Sequence, residues 1–140
     1  MLRARRLKDD RGTAVIEFAL LTPVFLLLLT GMLAYGLYFG AAHALQQLAA
    51  DAARIAIAGL TDSERDAMVG RYLTRHAGDY MLIDPGRLSY EIGAYPGDPD
   101  QYQVLLRYDA AELPIWNLYP PLPLPASMLV SGASIRRGGL

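Results

Sequence analysis

The residues best placed to do chemistry lie in the run Arg11-Gly12-Thr13-Ala14-Val15-Ile16-Glu17-Phe18. One carboxylate, Glu17, stands five residues after a glycine and just before an aromatic, Phe18. It borders a stretch, residues 18–50, that holds no Lys, Arg, Asp or Glu. An ionised carboxylate at the edge of a hydrocarbon-length segment is unfavourable, so such a residue is read first as functional. The layout fits a proteolytic processing site at the start of an apolar helix. It also fits an uncut signal anchor whose Glu17 snorkels toward the headgroups.

The remaining chemistry-bearing residues make no reactive constellation. His43 falls on a polar helix stripe, and His76 lies beside Arg75 at a helix end, where cations are favoured. No Gly-x-Ser-x-Gly turn, Walker motif or glycine-rich dinucleotide loop occurs. The chain is therefore read as a non-enzyme with no cofactor and no small-molecule substrate. Asp98 and Asp100, with Asp84 nearby in sequence, could offer oxygens to calcium, but Asp-Pro pairs are ordinary turn formers and the EF-hand glycine and glutamate are missing. There are no cysteines, so disulfides and thiolate metal sites are excluded.

The elements that position Gly12 and Glu17 begin with a basic leader. Residues 1–12 carry Arg3, Arg5, Arg6, Lys8 and Arg11 against Asp9 and Asp10, a net +3, while the rest of the chain sums to −4. That mildly acidic body argues against a nucleic-acid partner, which needs a cationic face. Residues 13–42 are long enough to span a bilayer and longer than the apolar core of a cleaved secretory signal. Only Arg54 follows within fifteen residues, so the charge bias keeps the leader inside and sends the remainder across. Tyr35, Tyr38 and Phe39 suit an aromatic belt, and Pro23 is expected to kink the helix. Gly36, Gly40 and Ala44 form a small-residue edge along which another helix could approach closely.

Beyond residue 42 the polar residues His43, Gln47, Asp51 and Arg54 recur at helical spacing. Leu45, Leu48, Ala49, Ala52, Ile55 and Ala56 lie between them, so one helix is predicted over residues 13–58 with Gly59 as its C-cap. Thr61-Asp62-Ser63-Glu64 reads as a capping box for a second helix over residues 62–77, with a stripe of Ala67, Met68, Tyr72 and Leu73 and a stop at Gly78. Residues 87–95 and 102–108 alternate as two strands of an antiparallel hairpin, broken by turn residues 96–100. Residues 113–125, including Pro120, Pro121, Pro123 and Pro125, read as an extended proline-rich connector, and residues 127–136 as a closing strand. The predicted fold class is α+β: a leader (1–12), a transmembrane helix (13–42) and an exported domain (43–140) packed on the helix extension.

Residues 11–27, RGTAVIEFALLTPVFLL, closely resemble the N-terminus of TadE-like proteins. Ala49-Ala50-Asp51-Ala52-Ala53-Arg54 and Ser131-Gly132-Ala133-Ser134-Ile135-Arg136 are similar to the family too. These are pseudopilins or minor pilins of the bacterial tight-adherence (Tad) pilus machinery, within the type IV pilin superfamily. The resemblance implies that a prepilin peptidase cuts between Gly12 and Thr13. The new amine at Thr13 lies one helical turn before Glu17. Amine and carboxylate attract much more strongly away from water, and burial is tolerated when they pair. In the superfamily this pairing is thought to join adjacent subunits and to set helix register. Implied partners are the peptidase, other pilin subunits, the inner-membrane assembly platform and the lipid bilayer. The implied location is the inner membrane, or a pilus outside it. The chain departs from the pattern in the acidic Asp9 and Asp10 of its leader and in polar Thr13. Its length favours a minor subunit, and the resemblance is compatible with one that enters the filament, caps it or only primes assembly.

Overall fold

Helix α1 (Asp10–Ala56) runs for 47 residues without a break, and its second half packs against a shorter helix and two strands. The computed structural model describes residues 10–118 and 123–136. Helix α2 (Asp62–His76) follows, then strands β1 (Leu88–Tyr95), β2 (Asp98–Asp109) and β3 (Met128–Arg136). The three strands form one antiparallel sheet in the order β1-β2-β3, as the alternating patterns predict.

Alternation is most regular in β2, the central strand. Tyr102, Val104, Leu106 and Tyr108 are buried while Gln103, Leu105 and Arg107 between them are not. Successive strand side chains point to opposite faces, so this pattern fixes the register against the helix. Across the core α1 presents Ala34, Ala41, Ala44, Leu45, Leu48, Ala49, Ala52, Ala53 and Ala56, all buried. Small side chains bring the helix axis close to the sheet, and the larger Tyr102, Leu106 and Leu129 fill the space from the other side. Ile55, expected in the stripe, is 37% exposed at its margin, and Ala53 takes the inner position.

Several local expectations change in detail. Helix α1 ends two residues earlier than predicted and Gly59 is not its cap. Its last turn tightens instead through bonds from the amides of Ile57, Ala58 and Gly59 to carbonyls three residues back. Gly59 is needed for another reason: a Cβ there would lie 2.6 Å from Cγ of Arg65 and 3.0 Å from its backbone nitrogen. Thr61 caps α2 by accepting from the Glu64 amide, and Glu64 reaches back to the amide of Leu60 rather than that of Thr61. The buried stripe of α2 is Val69 and Leu73, with Ala67 exposed.

The turn between β1 and β2 is shorter than residues 96–100. Tyr95 pairs with Asp98, so Pro96-Gly97 suffices, with Gly97 at φ 95°. Proline followed by a residue of positive φ is the type II pattern. The start of the proline-rich connector is not extended: Pro114–Asn117 is a 3-10 turn that seats Ile115 and Leu113 in the core. Pro120 and Pro121 lie outside the described residues.

Candidate functional site: the N-terminal helix

Gly12, Thr13, Glu17 and Phe18 all lie on α1, within its first three turns, and all are exposed. From residue 12 to residue 33 no residue of α1 is buried; Ala34 is the first, fully covered. Those 22 residues span about 33 Å at ~1.5 Å per residue, close to the ~30 Å of a hydrocarbon core. Among the described residues α1 is the one helix long and apolar enough to cross a membrane. The part of α1 packed on the domain starts at Ala34, nine residues before the 42/43 boundary expected from hydropathy.

The exposed half handles its polar groups as a lipid-facing helix must, by internal hydrogen bonds. The Thr22 hydroxyl donates to the Phe18 carbonyl at 2.6 Å, and Thr30 donates to Leu26 at 2.9 Å. Pro23 removes one amide from the ladder, yet the helix continues through it. Val15, Phe18, Leu21, Phe25, Leu28 and Met32 all face outward.

Glu17 sits 17 residues below Ala34, about 25 Å along the axis, and no charged residue follows it before Asp51. No described residue of the domain covers it. Gly36 is exposed with nothing within 4 Å of the position of a Cβ, so its face of the helix is open. Gly40 meets the Leu82 side chain at 3.2 Å, and Ala44 is packed within the chain's own core. Gly36 and Gly40 are thus the members of the small-residue edge left near the surface.

The second half of α1 is tied down by a polar node that sequence reasoning missed. Asp51 accepts from the Tyr80 hydroxyl at 2.6 Å and pairs with Arg54 at 3.0 Å, and Tyr80 also contacts the Tyr72 hydroxyl at 3.2 Å. Burial and the Asp51 carboxylate push Tyr80 well above the ordinary tyrosine range. Tyr35 and Tyr38, expected as an aromatic belt, hold the proline-rich segment: their hydroxyls donate to the carbonyls of Pro123 and Ala126.

Residues 12–54 match the family model of TadE-like protein. Over this helix the chain is TadE-like. That match supports a place in the Tad pilus system and among its other components. It covers both the exposed half of α1 and the Ala49–Arg54 stretch that builds the Asp51 node, and it stops before α2 and the sheet. No curated protein and no solved structure matches the chain.

Elsewhere the sequence candidates are absorbed structurally. His43 bonds Gln47, and His76 pairs with Asp79 and stacks on Tyr72. Asp98 spends its carboxylate on the Asp100 amide and the Gln101 side chain, and Asp84 caps the Pro85–Arg87 turn. Among the described residues no cluster of three or more such side chains could hold a metal, and no polar or charged residue is buried. One cleft of about 540 Å³ opens between α2 and β1, lined by Arg71, Thr74, Arg75, Leu88 and Tyr90.

Proposed function

We propose that this chain is a non-enzymatic minor pilin or pseudopilin of the Tad (type IVc) pilus, assembled through α1. In this reading a prepilin peptidase cuts after Gly12, where the first helical turn opens readily because helix ends fray. The leader stays in the cytoplasm, residues 13–33 cross the bacterial inner membrane, and the domain lies outside. Glu17 pairs with the new N-terminal amine of a neighbouring subunit, Phe18 packs beside it, and Gly36 and Gly40 let another helix approach closely.

The observation that carries this reading is the isolation of Glu17. It sits about 25 Å below its own domain on an apolar helix whose residues 12–33 no described residue buries. Within hydrocarbon such a carboxylate needs a partner, and a neighbour's terminal amine is one that the processing step creates.

Intact-mass and N-terminal peptide spectrometry, with and without prepilin peptidase, tests it. Peptidase-dependent cleavage leaving Thr13 first is expected. Gly12→Leu should retain the leader completely, while Glu17→Val should be cut yet fail to co-purify with partner subunits. An intact leader in cells with active peptidase would overturn the proposal. The second reading, an uncleaved anchored protein with an outer binding domain, would then stand, and the Arg71 and Arg75 cleft is the feature that favours it.

A further inference from the structure

Helix α1 does not enter its domain at a bare surface. At the level where burial begins, Tyr35 and Tyr38 reach out to the carbonyls of Pro123 and Ala126 and hold that segment against the helix. The segment belongs to the longest uncharged run outside α1: from residue 113 to residue 135 no Lys, Arg, Asp or Glu occurs. Pro123 and Ala126 are exposed, and Met128, two residues on, is 49% exposed. Phe39, on the same stretch of helix, is 63% exposed.

The helix supplies a ruler for what covers these residues. If the hydrocarbon begins at Thr13, about 20 residues of helix bring its far edge to residue 32. If it begins after Glu17, the edge falls at residue 37 by the same measure. Tyr35 lies between these limits, so its hydroxyl and the Pro123 carbonyl sit within about 5 Å of the boundary either way. That is the headgroup layer, where tyrosine is favoured and where carbonyls freed by proline still find water.

We propose that residues 123–126, held by Tyr35 and Tyr38, are a second membrane contact seated in the headgroup layer of a lipid bilayer. The domain is thereby fixed against the bilayer at two places, the helix and this segment, and cannot swing freely about residue 33. The proposal rests on the reading of residues 13–33 as a membrane span.

The absence of cysteine allows single labels in the full chain. An environment-sensitive fluorophore would be placed at Pro123→Cys and, separately, at Ala126→Cys. References are Leu26→Cys in the exposed half of the helix and Leu60→Cys, 87% exposed beyond its far end. The labelled proteins are reconstituted into phosphatidylcholine vesicles holding nitroxide lipids, with the nitroxide at the headgroup or at mid-chain. The labels at 123 and 126 should be quenched several-fold more by headgroup nitroxide than the label at 60, and the label at 26 most by mid-chain nitroxide. Labels at 123 and 126 quenched no more than that at 60, with 26 still quenched, would overturn the second contact alone. Shielding of both from lipid and from an aqueous quencher would overturn it in favour of a protein neighbour. Loss of quenching at 26 would instead overturn the span, and the second contact with it.

Discussion

Residues 12–33 and 34–56 are consecutive halves of one helix built for opposite surroundings. The first half carries Leu, Phe and Val around its whole circumference and buries none of them. The second half sorts its residues, with Ala and Leu inward and His43, Gln47 and Arg54 outward. A helix apolar on all sides needs an apolar surrounding, whereas a striped one needs a single packed face. Alanine is what makes the second half work. It contributes little burial itself, but it lets the sheet come close enough for Leu45, Leu48, Tyr102 and Leu106 to interdigitate. The difference teaches that hydropathy marks how apolar a segment is, while packing marks where the protein's own core begins.

The sharpest way to break this comparison is to make the same truncation in each half. Leu48 is fully buried and Leu26 is 48% exposed. Leu48→Ala should destabilise the domain by about 2–5 kcal/mol, the range for a leucine cavity in a packed core. Leu26→Ala should leave domain unfolding within about 0.5 kcal/mol of the parent, as surface changes do. Denaturant unfolding of the detergent-solubilised chain, followed by Trp116 fluorescence, measures both. Equal effects would mean that the two halves are not separate environments.

Much of this division is written in the sequence, and some of it is not. The three strands, α2 and the continuity of α1 were legible because their periodicities are strong and their caps and turns use the expected residues. Residues 34–42 read as span because Tyr, Leu, Phe, Gly and Ala serve lipid and core alike; the burial of Ala34 and Ala41 and the bonds from Tyr35 and Tyr38 to residues 123 and 126 are long-range contacts that no local pattern announces. The Asp51 node was hidden for a similar reason, since Tyr80 lies 29 residues away. Its one sequence signal was a carboxylate flanked by alanines on both sides, Ala50-Asp51-Ala52. Of the candidate site, the residue types and their order along α1 were legible, whereas the isolation of Glu17 could be seen only once the domain's lower edge was known.

Glycines sharpen the comparison further. Gly59→Ala forces a methyl against Cγ and the backbone of Arg65 and should cost about 1–3 kcal/mol of domain stability, as overpacking does. Gly36→Ala meets open space and should be neutral or stabilising by up to about 1 kcal/mol through helix propensity. Its penalty should appear instead in helix association, read by chemical cross-linking in the membrane. A Gly36→Ala chain that unfolds earlier than the parent would show that this face is covered by the chain itself.

The polar node at Asp51 also anchors the second half of the helix. Tyr80→Phe removes the hydrogen bond to Asp51 and should cost about 1.5–3 kcal/mol, the range for a bond to a charged group whose partner stays in place. The pH dependence has a definite sign. In the fold the Tyr80 proton is held by burial and by Asp51, so its folded pKa lies above the ordinary 10.0 of the unfolded chain. The node's contribution is therefore fully present below about pH 10 and is lost as pH rises from there through the folded pKa, because only the unfolded chain has released the proton. Unfolding free energy measured on either side of pH 10 should fall more steeply for the parent than for Tyr80→Phe. Identical slopes would mean that burial and Asp51 do not hold the Tyr80 proton in solution, and the second half of α1 would then be retained by its packed face and the Tyr35 and Tyr38 bonds.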